Sequence, residues 1–586
     1  DLNQQQKVLN SYGYPMGLAD YSALLLGGLP KQGQTLEEVK DLLLSEIKKL
    51  RAGEFDEKML EANINNFKLG ELQNMESNEG RADMFVNSFI NGTDWKNEVT
   101  AIDRMAKLTK EDIVAFANKY LKEDNYAVIY KKQGKDPNEK KMTKPEITPI
   151  ITNRDVASPF LVEVQESAVK PIEPVFLDYQ KDMSQLKAKS DIPVLYKQNV
   201  ANDLFQLIYV FDMGNNHDKA LGTAFDYLEY LGTSDMTPEE LKSEFYRLAC
   251  TFYVSPGNER TYVVLSGLNE NMPAAVQLFE KLLADAQVNK EAYTNMTSDI
   301  LKARSDAKLN QGQNFSRLMS FAMYGPKSPA TNLLTEANMN PQELVDRIHN
   351  QNSYKHRILY YGPSSSKDLL ATINQYHQVP AALKDIPAGN EYAYLETPVT
   401  KVLVAPYDAK QIYMAQISNL DKKYDPAIEP IRALYDEYFG GGMNSIVFQE
   451  MRETRGLAYS AWASIMPPSY LKYPYVLRTQ IATQNDKMID AVTTFNDIIN
   501  NMPESEAAFK LAKDGLTNRL RTERIIKGDI IWSYINAQDL GQNVDPRIKL
   551  YNDIQNMSLK DIVDFQKQWV KGRTYVYCIL GDKKDL

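Results

Sequence analysis

The pattern of apolar and polar positions recurs three times along the chain. Segments that begin at Leu108, Met339 and Met557 each open with a capping residue and acidic residues and continue with apolar residues at helical spacing. Each segment then passes into a short aromatic and β-branched run, and these runs end near Gly134, Gly362 and Gly581. A cap followed by helical spacing predicts a helix, and the run after it predicts a strand. We therefore predict a repeating unit of helix, short loop and strand.

The first and third copies share a longer pattern upstream of this ending. Residues 8–134 and 455–581 both read as a strand, a proline-containing turn, an alternating strand, an amphipathic helix and further long helical stretches. Self-similarity over such a length indicates a repeated architecture. We interpret the two segments as copies of one α+β half-domain.

The length and the repeats together predict several structural units. A chain of 586 residues is too long for one hydrophobic core. Residues 136–190 are rich in proline and charge, which predicts a linker, and a shorter connector is expected within 363–392. The units are then residues 1–135, 191–375 and 395–586. We predict an α+β fold of repeated units, each with a mostly antiparallel sheet covered by helices.

Composition narrows the class of protein. The formal net charge of -10 argues against nucleic-acid binding, which depends on clustered Lys and Arg. With 43% hydrophobic and 25% charged residues the composition is typical of a soluble globular protein, and no window of about 18 apolar residues predicts a transmembrane helix. Cys250 and Cys578 lie far apart and are expected to be buried free thiols. Because the chain opens without an initiator Met, we expect a longer precursor.

The chain offers little for metal or nucleophile chemistry. Its histidines are His217, His349, His356 and His377. None lies in an HxxEH or HExxH motif, and no cysteine pair has zinc spacing, so we predict no transition-metal site made by this chain alone. GxSxG and P-loop motifs are also missing from the sequence.

The stretch FGGGMNSIVFQEMRETRGLAYSAW, residues 439–462, carries the strongest candidate site. Its glycines, Gly440, Gly441 and Gly442, are expected to end the preceding helix with positive φ angles. Asn444 or Ser445 is then expected to cap a second helix. We expect Arg452 in the last turn of that helix, and Gly456 to end it.

Arg452 and Tyr459 are seven positions apart, and a tight turn at Gly456 would bring their polar ends onto one surface. Arg presents a planar fork of donors to a carbonyl or carboxylate, and a Tyr hydroxyl can donate to a developing oxyanion. The alternative is that Arg452 only complements the helix dipole and Tyr459 packs in the sheet. The residues alone leave both interpretations open.

At this joint the sequence resembles the pitrilysin and insulysin type of inverted-motif zinc metallopeptidase. That family has four homologous α+β units, paired into two halves that enclose a chamber for peptides. The resemblance implies that residues 1–135 are the C-terminal part of the second unit, 191–375 a degenerate third unit and 395–586 the fourth. It also implies that Arg452 and Tyr459 are catalytic and substrate-binding residues, with substrate binding extending to Gly440, Gly441 and Gly442.

The chain departs from the family at the zinc site. The family holds zinc through HxxEH in its first unit, and this motif does not occur here. In the third unit, Thr223, Asp226 and Tyr227 stand where an active unit would have His, Glu and His. The resemblance therefore implies that zinc and the general base belong to a missing N-terminal zinc-binding unit or chain, and that this chain alone is inactive.

Three interpretations of function remain. The first is the C-terminal portion of a zinc-dependent metalloendopeptidase that acts on peptides or unfolded proteins, with the periplasm or cell envelope as the expected location. The second is a non-catalytic peptide-binding or scaffold homologue of the same fold. The third is a module that captures peptides by strand addition to a sheet edge.

Overall fold

The computed structural model describes residues 2–134, 158–168, 170–330, 339–582 and 584. Among them, no helix combines the length and the apolar character needed to cross a membrane.

The N-terminal part, up to residue 134, is a hairpin followed by helices. Strands β1 (Asn10–Gly17) and β2 (Ser22–Leu29) pair antiparallel, with Asn10 opposite Leu29. The helices that follow are α1 (Leu36–Ala52), α2 (Lys58–Asn74), α3 (Asn78–Ile90), α4 (Trp95–Val99), α5 (Ala101–Met105) and α6 (Lys110–Tyr120). Capping boxes at Thr35 and Thr109 begin α1 and α6, as their sequences predict.

The strand predicted near Gly134 is wrong, because residues 126–130 lie outside any strand. The equivalent segment of the last repeat forms a strand between two neighbours, whereas the hairpin β1–β2 is a two-stranded sheet. An apolar run forms a strand only where another strand accepts its backbone hydrogen bonds.

The predicted linker, in its described part, contains two short helices, α7 (Pro159–Glu166) and α8 (Tyr179–Asp182). The third unit then forms a six-stranded sheet in the order β3-β4-β8-β5-β7-β6. Its strands are β3 (Ser184–Lys187), β4 (Pro193–Gln198), β5 (Leu204–Phe211), β6 (Cys250–Pro256), β7 (Thr261–Leu268) and β8 (Arg357–Gly362). All its pairs are antiparallel except β4–β8.

The helices of the third unit are α9 (Leu221–Leu228), α10 (Pro238–Arg247), α11 (Met272–Asp285), α12 (Lys290–Ala307), α13 (Gln311–Tyr324), α14 (Pro341–Asn350) and α15 (Ser366–Tyr376). Helix α15 falls within the segment that we predicted as a connector. Leu369 and Ile373 of α15 are buried in the main core of the third unit, so this half of the predicted connector belongs to the unit itself.

The fourth unit forms a five-stranded sheet in the order β11-β12-β10-β13-β9. Its strands are β9 (Lys401–Pro406), β10 (Gln411–Lys423), β11 (Ala458–Met466), β12 (Pro474–Gln484) and β13 (Val576–Gly581). Its helices are α16 (Glu429–Phe439), α17 (Ile446–Phe448), α18 (Met488–Asn500), α19 (Glu506–Thr522), α20 (Asp529–Asp539), α21 (Pro546–Ile554) and α22 (Leu559–Trp569).

The two larger sheets have the same strand order. Strands β4, β8, β5, β7 and β6 of the third unit correspond in turn to β9, β13, β10, β12 and β11 of the fourth. In each sheet the one parallel pair joins the first strand of the shared order to the last strand of the unit. The predicted α+β fold of repeated units, with mostly antiparallel sheets covered by helices, is confirmed.

The two units exchange a helix across their contact. Phe315 and Met319 of α13, from the third unit, pack on one face of the fourth-unit sheet. Ile531 and Ile535 of α20, from the fourth unit, pack on the equivalent face of the third-unit sheet. Each sheet is therefore closed on one face by a helix that belongs to the other unit.

Candidate functional site

The glycine turn lies against the edge strand β11. A Cβ on Gly440 would come within 2.1 Å of the Ala463 carbonyl oxygen, so only glycine fits there. Gly440 has a φ of -138°, so the predicted positive φ is wrong. The close approach of two backbones, and not helix termination in the left-handed region, requires the glycine.

Two side chains of α16 bind the same strand edge. The Asp436 carboxylate accepts hydrogen bonds from the backbone N–H of Ile465 at 2.9 Å and from the Ser464 hydroxyl at 2.9 Å. Arg432 donates to Asp436 at 2.8 Å and to the Ile465 carbonyl at 3.1 Å. Together they satisfy the outer hydrogen-bonding groups of Ile465, as a neighbouring strand would.

The Arg432–Asp436 pair is buried, and its electrostatics reflect this. Burial raises the pKa of the Asp436 carboxyl to about 6, against the lowering effects of Arg432 and of the Ile465 and Ser464 hydrogen bonds. Neither Asp436 nor Arg432 was singled out in the sequence. Their spacing of four residues on a helix that ends in the glycine turn is the signal that points to them.

Arg452 lies in a π-helical turn. Ser445 caps α17 through its side chain, as one of the two predicted alternatives has it, and the helix continues as a π-helix over Gln449–Thr454. Leu457 N–H then donates to the Met451 carbonyl at 2.8 Å, and Gly456 has a φ of +55°. The predicted end at Gly456 agrees with this geometry. π-Helical turns are frequent at functional sites because they displace side chains from the regular helical positions.

Tyr459 lies in a β-bulge at the start of β11. Ala458 pairs with Thr483 and Ser460 with Ala482, so Tyr459 has no partner residue on β12. Its side chain is 79% exposed, and its hydroxyl has no hydrogen-bond partner within the described ranges. Bulges redirect side chains and are common next to active sites. The alternative in which Tyr459 packs inside the sheet does not fit this exposure.

The two irregular turns bring Arg452 and Tyr459 together. The Arg452 guanidinium lies 4.7 Å from the Tyr459 ring centre and 4.9 Å from that of Phe448. Stacking between two rings fixes the plane of the guanidinium but leaves its in-plane N–H groups available. Its Nε lies 3.6 Å from Glu453. The site therefore presents an oriented cation and a free phenol to the same surface, next to the glycine turn.

The three glycines differ in their surroundings. A Cβ on Gly441 would lie 2.9 Å from the Asp436 carbonyl oxygen, whereas on Gly442 its nearest neighbour would be the Glu437 carboxylate at 3.7 Å. Gly440 and Gly441 are thus required by packing, and Gly442 is not. Their predicted role in binding substrate stays a prediction.

The positions aligned with a zinc motif in the third unit do not form a cluster. Thr223 and Tyr227 of α9 are buried, whereas Asp226 is exposed. The Tyr227 hydroxyl donates to the Asn289 carbonyl at 2.5 Å and accepts from the Asn289 N–H at 2.8 Å. Tyr227 therefore anchors the start of α12, which is a structural role.

Two of the histidines form a buried chain with Glu280. His377 Nδ1 lies 2.6 Å from the Glu280 carboxylate, and its Nε2 lies 2.9 Å from Nε2 of His356. His356 Nδ1 donates to the Tyr354 carbonyl at 2.7 Å. In the described part of the chain, no group of three His, Cys, Asp or Glu side chains is arranged to hold a metal ion. These residues do not fit a zinc site, and we derive no chemical step through zinc in this chain.

Comparison with known proteins agrees with this fold. Residues 358–516 match the family model described as the peptidase M16 inactive domain, and this range contains the glycine turn, Arg452 and Tyr459. The computed structure resembles the crystal structure of a peptidase M16 inactive domain from Pseudomonas fluorescens, with a TM-score of 0.54, 16% identity and coverage of 69% of this chain and 98% of that one. The chain thus has the M16 fold and contains an M16 inactive domain, which confirms the predicted resemblance.

Two named proteins lie on different sides of the question of activity. The non-peptidase homolog YmxG of Helicobacter pylori is 23% identical over 423 residues, which cover 68% of this chain and 93% of YmxG. The periplasmic protease PqqL of Escherichia coli has a TM-score of 0.55 and 12% identity, over 99% of this chain and 68% of PqqL. One relative is therefore a non-peptidase and one structural neighbour is a protease.

Proposed function

We propose that this chain is the substrate-binding portion of an M16-type zinc metalloendopeptidase, in which Arg452 and Tyr459 hold the backbone of an extended peptide. The observation that carries the proposal is the stacked pair itself, which two backbone irregularities bring to the surface. A buried structural pair would not need an unpartnered phenol that is 79% exposed.

In this proposal each side chain has a distinct task. The in-plane N–H groups of Arg452 donate to a peptide carbonyl or a terminal carboxylate. The Tyr459 hydroxyl donates to the oxygen on which negative charge develops when a peptide bond is attacked. Zinc and the general base come from another polypeptide segment, since the described residues offer no ligand set. Location in the periplasm or cell envelope is part of the same proposal.

The test compares cleavage with binding. A quenched fluorescent peptide library is incubated with a longer polypeptide that contains both this chain and an HxxEH segment, with this chain alone, and with the longer polypeptide carrying Tyr459→Phe. We expect chelator-sensitive cleavage by the longer polypeptide, none by this chain alone, and a loss of at least tenfold in kcat/KM for Tyr459→Phe. Full cleavage by the Tyr459→Phe protein would exclude the proposed role of the phenol.

A second candidate function is a peptide-binding protein of the same fold without catalysis. The similarity to a non-peptidase homolog over 68% of the chain favours it. It predicts that the longer polypeptide binds the library peptides, that Arg452→Lys weakens this binding, and that no cleavage occurs at any zinc concentration.

A further inference from the structure

The outer edges of the two equivalent strands β4 and β9 differ. In the third unit, β3 pairs antiparallel with the outer edge of β4, with Leu186 opposite Val194 and Ser184 opposite Tyr196. In the fourth unit, β9 is the last strand of its sheet, and no strand of the described chain pairs with its outer edge. Free edges are sites at which another extended segment can add.

The register shows which residues of β9 would receive such a segment. β8 and β13 each end in a glycine, whose partners are Gln198 in β4 and Pro406 in β9. Counting back from these partners places Val402 and Val404 at the two positions where β4 pairs with β3.

The hydrogen-bonding direction of β9 agrees with this register. Lys401 N–H donates to the Tyr575 carbonyl at 3.0 Å, and Tyr407 N–H donates to the Gly581 carbonyl at 2.7 Å, so residues 401, 403, 405 and 407 face β13. In a strand the intervening residues face the other way. The backbone groups of Val402 and Val404 therefore point to the free edge, and their side chains are 59% and 49% exposed.

A groove continues from this edge along α13. It encloses about 690 Å³, and its lining includes Lys308, Arg317, Phe321, Pro406 and Tyr407. An antiparallel strand on β9 would enter at the carboxyl end of β9, so its preceding residues would lie in this groove.

The third unit has a segment at the equivalent place. There α8 and β3 lie between β4 and the covering helix α20: Tyr179 shares a 2.8 Å hydrogen bond with Ser533, and Gln185 donates to Tyr534 at 3.2 Å. Helix α13 covers the fourth-unit sheet as α20 covers that of the third. The groove along α13 is thus the counterpart of a place that the chain itself fills in the other unit.

Charge indicates the chemistry of the occupant. Lys308 and Arg317 have no ion-pair partner within the described ranges, and they lie on the same groove. An unpaired cation beside an apolar groove favours an acidic side chain over a basic one. We propose that β9 and this groove bind an extended acidic peptide by antiparallel strand addition, with the acidic residues preceding the added strand. This site is separate from the Arg452–Tyr459 pair and does not depend on its role.

The experiment measures peptide binding to the 586-residue chain by fluorescence anisotropy. The probe is a fluorescein-labelled peptide of three aspartates followed by alternating valine and threonine, and a second probe replaces the aspartates by lysines. We expect the acidic probe to bind at least tenfold more tightly than the basic one. Val404→Pro removes an outward N–H while keeping the bonds to β13, so it should weaken binding at least tenfold, whereas Val404→Thr should not.

Charge reversal tests the groove. Lys308→Glu combined with Arg317→Glu should abolish the preference for the acidic probe, and Lys567→Glu, an exposed change on α22, should leave it intact. If Val404→Pro is unfolded by circular dichroism, a probe with N-methylated valines replaces it, since it cannot pair with the edge and should not bind. Equal binding of both charge versions, or of the N-methylated probe, would overturn the proposal. A dimer that Val404→Pro converts to a monomer would assign the edge to a second copy instead.

Discussion

Gly440 lies directly against the backbone of Ala463, and this contact sets how the end of α16 meets the edge of β11. Gly440→Ala would place a Cβ 2.1 Å from the Ala463 carbonyl oxygen, which neither backbone can relieve without moving. We expect Gly440→Ala to lower the free energy of unfolding by roughly 2 kcal/mol or more, measured by urea denaturation. Gly442→Ala is the matched control, because its Cβ has ordinary contacts, and it should be nearly neutral. Equal effects of the two changes would contradict the packing role of Gly440.

The stacked position of Arg452 predicts a separation of binding from stability. Arg452→Lys loses the planar group between Phe448 and Tyr459 but keeps the charge. Since the side chain is 36% exposed, we expect a stability change of less than about 1 kcal/mol. Affinity for an unstructured fluorescein-labelled peptide should fall about tenfold, because a Lys ammonium cannot donate as a planar fork. Arg455→Lys, three positions on, should leave peptide affinity unchanged; an equal loss there would make the effect one of general charge.

Asp436 predicts a stability that decreases as pH rises through weakly acidic values. Its folded pKa of about 6 lies above the ordinary value of 3.8, so between these values the folded state holds a proton that the unfolded state has lost. Stability from this group is therefore greatest below pH 4 and declines up to about pH 6, by an amount on the order of 2 to 3 kcal/mol. In Asp436→Asn this component should vanish from the pH profile of urea unfolding. An unchanged slope in that range would contradict the assignment.

His356 predicts a slope of the opposite sign. Burial and the neighbouring His377 lower the pKa of His356 from 6.5 to about 4, so between these values only the unfolded state takes up the proton. Stability from His356 is therefore present above pH 6.5 and is lost as pH falls to about 4. The groups that face this ring chain are Glu280, His377 and Tyr209.

His356→Phe separates this contribution from others. It should reduce stability at pH 7 by about 1 to 3 kcal/mol, because the Tyr354 carbonyl loses its donor, and it should flatten the slope between pH 4 and 6.5. His349→Gln, on the exposed end of α14, serves as the control and should retain the wild-type slope. Retention of that slope in His356→Phe would exclude His356 as its source.

Arg260 joins the third and fourth units through ion pairs. Its guanidinium binds Asp539 through two contacts of 2.5 Å and Asp212 at 2.6 Å, and it lies over the Tyr470 ring. Arg260→Ala leaves Asp539 without its cation in a half-buried site, so we expect a loss of about 3 to 5 kcal/mol in thermal or chemical unfolding. Arg247→Ala, which removes an exposed pair within one helix, should cost less than about 1 kcal/mol. Comparable losses would contradict the importance of the contact between units.

The sequence was sufficient for those features that depend on local pattern. Caps such as Thr109 and Ser558 and the closing glycines Gly362 and Gly581 marked the repeats, because capping and alternation act over a few residues. The strand predicted near residue 130 failed because a strand needs neighbours that local pattern does not reveal. The positive φ expected at Gly440 failed for the same reason, since the deciding contact comes from Ala463, more than twenty residues away.

The candidate pair was found from sequence, but its geometry was not. A π-helical turn and a β-bulge each insert one residue out of register, and nothing in the pattern of Arg452 and Tyr459 indicates either insertion. Phe448, four residues before Arg452, is the one stacking partner that helical spacing points to. The boundaries predicted for the units and the roles predicted for the site residues stay predictions.

The exchange of α13 and α20 decides where this protein can be divided. A polypeptide cut between the third and fourth units would leave each sheet with a bare apolar face, because the covering helix would be on the other fragment. Neither fragment should express as a stable monomer, and co-expression should recover a heterodimer. Swinging the two units apart would likewise uncover both sheets at once. Any opening that admits a peptide must therefore leave this pair rigid and take place at its borders with the rest of the molecule.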